Sequence, residues 1–475
     1  MDRRDALKLM VTGILPFLLP QASKGFNKFF DISDLKASDF GQFNWGLATA
    51  ATQIEGGWNT DGRGPSIWDT FSQKHGNIKD GSTPSVSCNF YEKYKNDIEL
   101  VKQLGFKSFR FSISWSRVLP LGIGQINQKG IDFYNHVIDT CIEKGLEPWV
   151  TLYHWDLPQA LEDKGGWLNR DIIDWFNNYV EICAKQFGDR VKNWIVLNEP
   201  MGFTSLGYGI GYHAPGKYGI NSFLNAAHHA TLCQAEGGRV LRNNVANAKI
   251  GTAFSCSPID AYHPNVRDEK AARRLDALMN RLFIEPAVGL GYPIKDAPFL
   301  SRIEKFMKPG DEESLKFDFD FIGLQNYFRI ITDFSPFVPY IWAKQVAPGK
   351  TCKRVTEMNW EVYPDGLYRI LKQFSKYPVK EIIVTENGAA FKDVIENESI
   401  KDTERTQFFK DYLASMLKAK NEGVNVTGYF AWTLLDNFEW TEGYRPKFGL
   451  VNVDFERQKR IVKNSGLWFK EFLSK

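Results

Sequence analysis

Cysteine pairs, a charge excess of either sign and any apolar run of membrane length are all missing from this 475-residue chain. The six cysteines (Cys88, Cys141, Cys183, Cys233, Cys256 and Cys352) are scattered, with no Cys-x-x-Cys pair. That argues against thiolate metal ligation and against a disulfide framework, which a chain this long does not need. No metal and no other cofactor is expected. Cys141 and Cys183 fall in helix-like stretches and are expected as buried thiols. Net charge is +3, and the first 24 residues supply +2 of it, four basic against two acidic. No basic stripe is left over, so nucleic acid is not an expected partner. Leu9 to Leu19 is mostly apolar but broken by Thr12, Gly13 and Pro16. It is too short to span a bilayer permanently, and stable membrane insertion is not expected. Internal repeats and low-complexity linkers are absent too, so a single large domain is the expectation.

Aromatic residues are plentiful: 14% of the chain, with 14 Trp. Core filling accounts for most of them. Indole faces also stack on sugar rings, so the composition leans towards a carbohydrate ligand. The amino terminus stands apart. A charged start, Met1-Asp2-Arg3-Arg4-Asp5-Ala6-Leu7-Lys8, precedes the short apolar run, and Arg3-Arg4 followed by Leu7-Lys8 resembles a twin-arginine export signal. Residues 1–24 are therefore expected to be an export signal and 25–39 an N-terminal extension. Residues 40–475 are the expected folded domain, placed in the periplasm or outside the cell if the signal operates and in the cytoplasm otherwise.

Beyond residue 40, strand-like and helix-like stretches alternate. Candidate strands are 43–50, 108–113, 147–154, 193–199, 249–255, 320–327, 381–386 and 427–433, the eight that a closed parallel (β/α)₈ barrel requires. Tyr91, Tyr94, Ile98, Val101 and Leu104 recur every three or four residues, one face of a helix that Gly105 is placed to end. In 108–113, Phe109, Phe111 and Ile113 alternate with Ser108, Arg110 and Ser112. An arginine pointing towards a barrel axis is costly unless it meets an anion. The stretches 58–87, 199–221 and 331–360 are expected as loops over the mouth.

Two of the strands end alike. Trp194-Ile195-Val196-Leu197-Asn198-Glu199-Pro200 and Glu381-Ile382-Ile383-Val384-Thr385-Glu386-Asn387-Gly388 each run through apolar residues to a glutamate and a turn. Carboxylates at the C-terminal ends of barrel strands stand where that fold keeps its catalysis. Two of them are the minimum equipment for cleaving a glycosidic bond.

Six segments in order then carry a family resemblance. They are Phe43-Asn44-Trp45-Gly46 through Gln53-Ile54-Glu55-Gly56, Arg110-Phe111-Ser112-Ile113-Ser114-Trp115-Ser116-Arg117, Tyr153-His154-Trp155-Asp156-Leu157-Pro158, Leu197-Asn198-Glu199-Pro200, Val384-Thr385-Glu386-Asn387-Gly388 and Trp432-Thr433-Leu434-Leu435-Asp436-Asn437-Phe438-Glu439-Trp440. From about residue 40 to the end the chain resembles glycoside hydrolase family 1, the β-glucosidase type. The resemblance implies a single (β/α)₈ barrel with elaborated loops at the C-terminal face of its strands. It assigns Glu199 as general acid/base, Glu386 as nucleophile and Tyr327 as the donor to that nucleophile. Arg110 is the natural counter-ion of Glu386. Gln53, His154, Trp155, Asn198, Glu439 and Trp440 match the sugar pocket, Trp432 its floor and Trp360 the aglycone platform. Trp45, Trp115 and Arg117 are expected as scaffold.

Family members often carry Asn-Tyr-Tyr where this chain has Gln325-Asn326-Tyr327, which puts contacts at the pocket wall in question. Glu439-Trp440 would repel a sugar 6-phosphate, so a neutral sugar is expected. The implied activity is retaining hydrolysis of terminal β-D-glucosyl residues, with the carboxyls about 5–5.5 Å apart. A β-galactosidase, a β-fucosidase and a transglycosylase use the same machinery and stay open. A catalytically dead sugar-binding relative is the reading from another class, and the intact pair of glutamates argues against it.

Overall fold

The computed structural model describes residues 35–396 and 399–475. The expected export signal lies outside the described residues, as does most of the extension; the end of the latter enters a 3₁₀ turn, Ala37–Phe40, that buries Phe40. Eight parallel strands close a barrel: β1 (Asn44–Ala48), β2 (Ser108–Ser112), β3 (Glu147–Tyr153), β4 (Asn193–Asn198), β5 (Lys249–Ser255), β6 (Phe321–Gln325), β7 (Ile382–Asn387) and β8 (Val426–Trp432). Each neighbours the next in sequence, and β8 returns to β1 with Ala48 opposite Trp432. A helix follows every strand: α1 (Phe90–Gln103), α2 (Gln128–Glu143), α3 (Ile172–Phe187), α4 (Ile220–Asn244), α5 (Val266–Asp276), α6 (Asp365–Phe374), α7 (Thr403–Asn421) and α8 (Asn464–Leu473). Gly105, at φ +87°, supplies the left-handed residue that lets the chain turn out of α1.

Two apolar layers hold this together. The larger lies between strands and helices and includes Phe109, Phe111 and Ile113, the alternate face of β2. The smaller fills the barrel, with Trp149, Ile195, Phe321, Ile383 and Phe430 packed against one another. Trp149 lies 5.4 Å from the Phe321 ring and 5.0 Å from the Phe430 ring, centroid to centroid. Burying such a side chain contributes up to about 3 kcal/mol. Room for the two phenylalanines comes from glycines: a Cβ on Gly46 would enter the Phe430 ring, and one on Gly251 the Phe321 ring. Apolar rings thus plug the middle of the barrel.

The segments expected as bare loops are partly structured. Residues 58–87 contain the helix Ile67–Ser72, started by a Ser66–Asp69 capping box, and residues 199–221 contain the helix Pro200–Thr204. In the third segment, Ile330–Phe334 pairs with Ala343–Gln345 on one side and with Ile259–Ala261 on the other, forming a small sheet. All six cysteines are free thiols, and Cys141 and Cys183 are buried as expected.

Candidate active site

Both glutamates stand where strand pairing becomes irregular. Between β4 and β5 the register shifts after Ile195; between β7 and its neighbours it shifts after Val384. Such irregularities re-aim side chains at the rims of barrels. Glu199 itself takes φ +45°, off the strand path, and its amide donates to Ala253 O at 2.8 Å. Pro200 then begins a helical turn, where its missing N–H costs nothing. After Glu386, Gly388 is required because a Cβ there would strike the Trp432 carbonyl.

Arg110 ties the two sites together. Fully buried, it donates from Nε to Thr151 Oγ1 (3.1 Å) and from Nη2 to Asn198 Oδ1 (2.5 Å). Its Nη1 donates to Thr385 O (3.0 Å) and to Glu386 Oε1 (2.5 Å). The Tyr327 hydroxyl donates to the other oxygen, Glu386 Oε2, at 2.7 Å. Asn198 is the residue before Glu199, so one guanidinium spans the ends of β4 and β7.

These contacts separate the two carboxyls electrostatically. Burial pushes Glu199 up to about 8, and the charge of Glu386 adds to the push; a hydrogen bond from Ser255 and the field of Arg110 only partly oppose it. Burial also raises Glu386 above the ordinary carboxylate range, and the charge of Arg110 and the hydroxyl of Tyr327 offset that only in part. The shared proton therefore rests on Glu199, leaving Glu386 as the anion. A third carboxyl, Glu439, is pushed up to about 8 by burial and then by the charges of Glu386 and Glu442, against a hydrogen bond from Gln53.

Around them lies a wall of polar groups with unused capacity. Gln53 donates from Nε2 to Phe438 O at 2.9 Å and to Asn437 Oδ1 at 3.1 Å, while its buried Oε1 has no protein partner. Asn198 Oδ1 accepts from Arg110 and from Gln325 Nε2 (2.7 Å), which makes its Nδ2 the donor to His154 Nε2 at 3.1 Å. His154 is held neutral by burial and the nearby Arg110 charge, so its proton sits on Nδ1, an atom with no protein partner. Gln325 Oε1 is likewise unpaired. Buried polar atoms of this kind are nearly always satisfied. A ligand rich in hydroxyls would satisfy all three.

Aromatic rings complete the cavity. His154 stacks between Trp432 (6.0 Å) and Trp440 (5.9 Å). Trp155 stacks on Trp440 at 4.7 Å, and its indole N–H is already donated to Asn198 O at 2.9 Å. At the mouth, Trp360 meets Tyr327 (5.5 Å), Phe328 (5.0 Å) and Phe448 (6.0 Å). The three residues expected as scaffold lie elsewhere: Trp45 packs on Phe40 and Phe472, Trp115 stacks on Tyr179, and Arg117 pairs with Glu55. Thr151, Ser255, Gln325, Asn437 and Phe448 contribute contacts that sequence reasoning had not assigned. A polar residue at a strand end is the only sequence signal for Ser255, and a lone threonine among apolar strand residues the only one for Thr151. Among the described residues no group of three His, Cys, Asp or Glu side chains is arranged to hold a metal, and no helix is long and apolar enough to cross a membrane.

Comparison with known proteins points to one family. The family model described as "Glycosyl hydrolase family 1" matches residues 37–475. Beta-glucosidase A of Thermotoga maritima is 44% identical over 90% of this chain and 96% of its own length. The 1,4-beta-D-glucan glucohydrolase of Thermotoga neapolitana is 42% identical over 91% and 97%. A solved structure of the Thermotoga maritima beta-glucosidase in complex with glucoimidazole has a TM-score of 0.87 at 42% identity, covering 91% of this chain and 98% of that one.

Proposed function

The chain belongs to glycosyl hydrolase family 1, and from that premise we propose that it is a retaining β-glucosidase releasing terminal β-D-glucose from β-glucosides and short oligosaccharides. In the first step a carboxylate oxygen of Glu386 attacks the anomeric carbon and the glycosidic C–O bond breaks. The proton of Glu199 goes to the departing oxygen, so the aglycone leaves as an alcohol and the sugar remains as an ester of Glu386. Esterification removes the charge that helps hold the proton on Glu199, which now acts as a base. In the second step water attacks the same carbon, its proton passes to Glu199, and the carboxylate of Glu386 is released.

The pocket residues fit that task. His154 Nδ1 donates to a sugar hydroxyl, Gln53 Oε1 accepts from another, and the Glu439 carboxyl, with its proton, can donate to one hydroxyl and accept from the next. Asn198, beside the acid/base, is placed for the 2-hydroxyl, and the Trp432 face supports the ring. Trp440 and Trp155 form the wall behind it. Trp360 flanks the exit, where the aglycone departs. The observation that carries the reading is the contrast between the two carboxyls: Glu386 held by Arg110 and Tyr327, Glu199 with its proton retained.

The test is a panel of nitrophenyl β-glycosides and cello-oligosaccharides, with the first-formed anomer followed by proton NMR. β-D-Glucosides should be the best substrates and β-glucose the first product. Initial release of α-glucose, or a marked preference for galactosides or fucosides, would overturn the proposal.

A further inference from the structure

At the mouth, one chain of alternating charges has no part in the chemistry above. Arg329 lies two residues past Tyr327, and Glu361 directly follows Trp360. Arg329 donates from Nε to Glu361 Oε2 at 2.8 Å and from Nη2 to Glu361 Oε1 at 2.6 Å, a two-pronged pairing that fixes orientation as well as distance. Its Nη1 donates to Asp260 Oδ2 at 3.3 Å, and Asp260 is gripped from the other side by Arg369 Nη1 (2.8 Å) and Nη2 (2.6 Å). The guanidinium of Arg329 also lies over the Tyr363 ring, 3.9 Å from its centroid. Four segments meet here: the strand leaving β5 through Asp260, the chain leaving β6 through Arg329, α6 through Arg369, and the stretch carrying Trp360.

Glu361 is only 3% exposed. A carboxylate so buried needs its fork partner, and that partner sets where Glu361, and hence the residue before it, can stand. The indole of Trp360 touches Tyr327, Phe328 and Phe448 through apolar faces that impose no single angle. Asn359 before it is in the left-handed region, at φ +56°. The backbone of this stretch is held by bonds from Thr356 N to Trp360 O (2.9 Å), from Val362 N to Arg354 O (3.0 Å) and from Trp360 N to Thr356 Oγ1 (3.3 Å), and the Arg329 fork is the side-chain restraint on Glu361.

We infer that Arg329 is a positioning residue for leaving-group recognition: through Glu361 it fixes the plane of Trp360, the wall on which the aglycone rests. The inference builds on the β-glucosidase reading and deepens it. Its effect is confined to the half of the substrate that departs in the first step. The glycosyl-enzyme, which has lost that half, is indifferent to it.

The experiment compares wild type with Arg329→Gln and Arg329→Lys on cellobiose and aryl β-glucosides. It also measures calorimetric binding of deoxynojirimycin, a ligand of single-sugar size. Arg329→Gln should raise KM for cellobiose about tenfold while binding of deoxynojirimycin stays within about twofold of wild type. Arg329→Lys, which keeps the charge but loses the fork, should fall between the two. In a Trp360→Ala background Arg329→Gln should add little, because the two act through one wall. Equal loss for cellobiose and deoxynojirimycin, or full additivity with Trp360→Ala, would overturn the inference. A wild-type protein inactive on every β-glucoside would defeat the β-glucosidase reading instead, so the two failures are distinguishable.

Discussion

The acid/base role proposed for Glu199 depends on a charge that the proposed reaction would remove, and that dependence can be measured. In the free protein Glu199 lies at about 8, so at pH 7 about nine in ten molecules hold its proton. Burial is the leading cause and the negative charge of Glu386 the next. Two like charges ~5.5 Å apart, the spacing of a retaining pair, repel by about 3 kcal/mol at an effective dielectric constant of about 20. That corresponds to about two pH units. Esterifying Glu386 should therefore lower Glu199 by about two pH units, towards the range in which it is ionised at pH 7. A single residue is then acid before the ester forms and base after it. The assay is ¹³C NMR titration of protein labelled at the glutamate carboxyl, free and after reaction with a 2-deoxy-2-fluoroglucosyl inactivator. The Glu199→Gln variant identifies the resonance. A downward shift of about two units is expected. An unchanged pKa in the trapped protein would refute the charge-cycling argument, because burial alone would then be holding the proton.

Glu199→Ala should keep substantial cleavage of dinitrophenyl β-glucoside, whose leaving group needs no proton, and lose cellobiose hydrolysis by about 10²–10⁴-fold; equal losses in steady-state assays of the two substrates would contradict the acid role. Glu439→Gln should weaken glucoside binding by about 0.5–1.5 kcal/mol, the worth of a hydrogen bond between neutral groups. The same variant has a pH signature in stability. The carboxyl of Glu439 lies near 4.5 when unfolded and about 8 when folded. Its contribution is full below about pH 4.5 and is lost as pH rises through about 8. Melting temperatures should therefore favour the variant over wild type more at pH 8 than at pH 5, and a difference independent of pH would count against burial of this group.

The barrel was legible in the sequence because its strands are buried on both faces and announce themselves as short apolar runs. β4 and β7 also end in polar residues too costly to bury without a purpose. Arg110 on the small-residue side of β2 called for an anion, and Glu386 is that anion. The register shifts beside Glu199 and Glu386 were not legible, since they arise from how neighbouring strands pair rather than from either strand alone. The small sheet formed by Ile259–Ala261, Ile330–Phe334 and Ala343–Gln345 escaped notice for the same reason. Its strands are three to five residues long, and Ile259–Ala261 and Ile330–Phe334 lie about seventy residues apart in sequence. Gln325 stood out in the sequence only as a departure from Asn. In the fold its amide donates to Asn198 and fixes which way that side chain points, and through it the tautomer of His154.

The central claim is that Glu386 becomes covalently bonded to the sugar while Glu199 handles the proton. Trapping with a 2-deoxy-2-fluoroglucosyl substrate, followed by intact-mass measurement and peptide mapping, tests it most directly. One fluoroglucosyl group per chain, located on the peptide containing Glu386, is the predicted result. Turnover without any adduct, or an adduct on a different residue, would contradict the account.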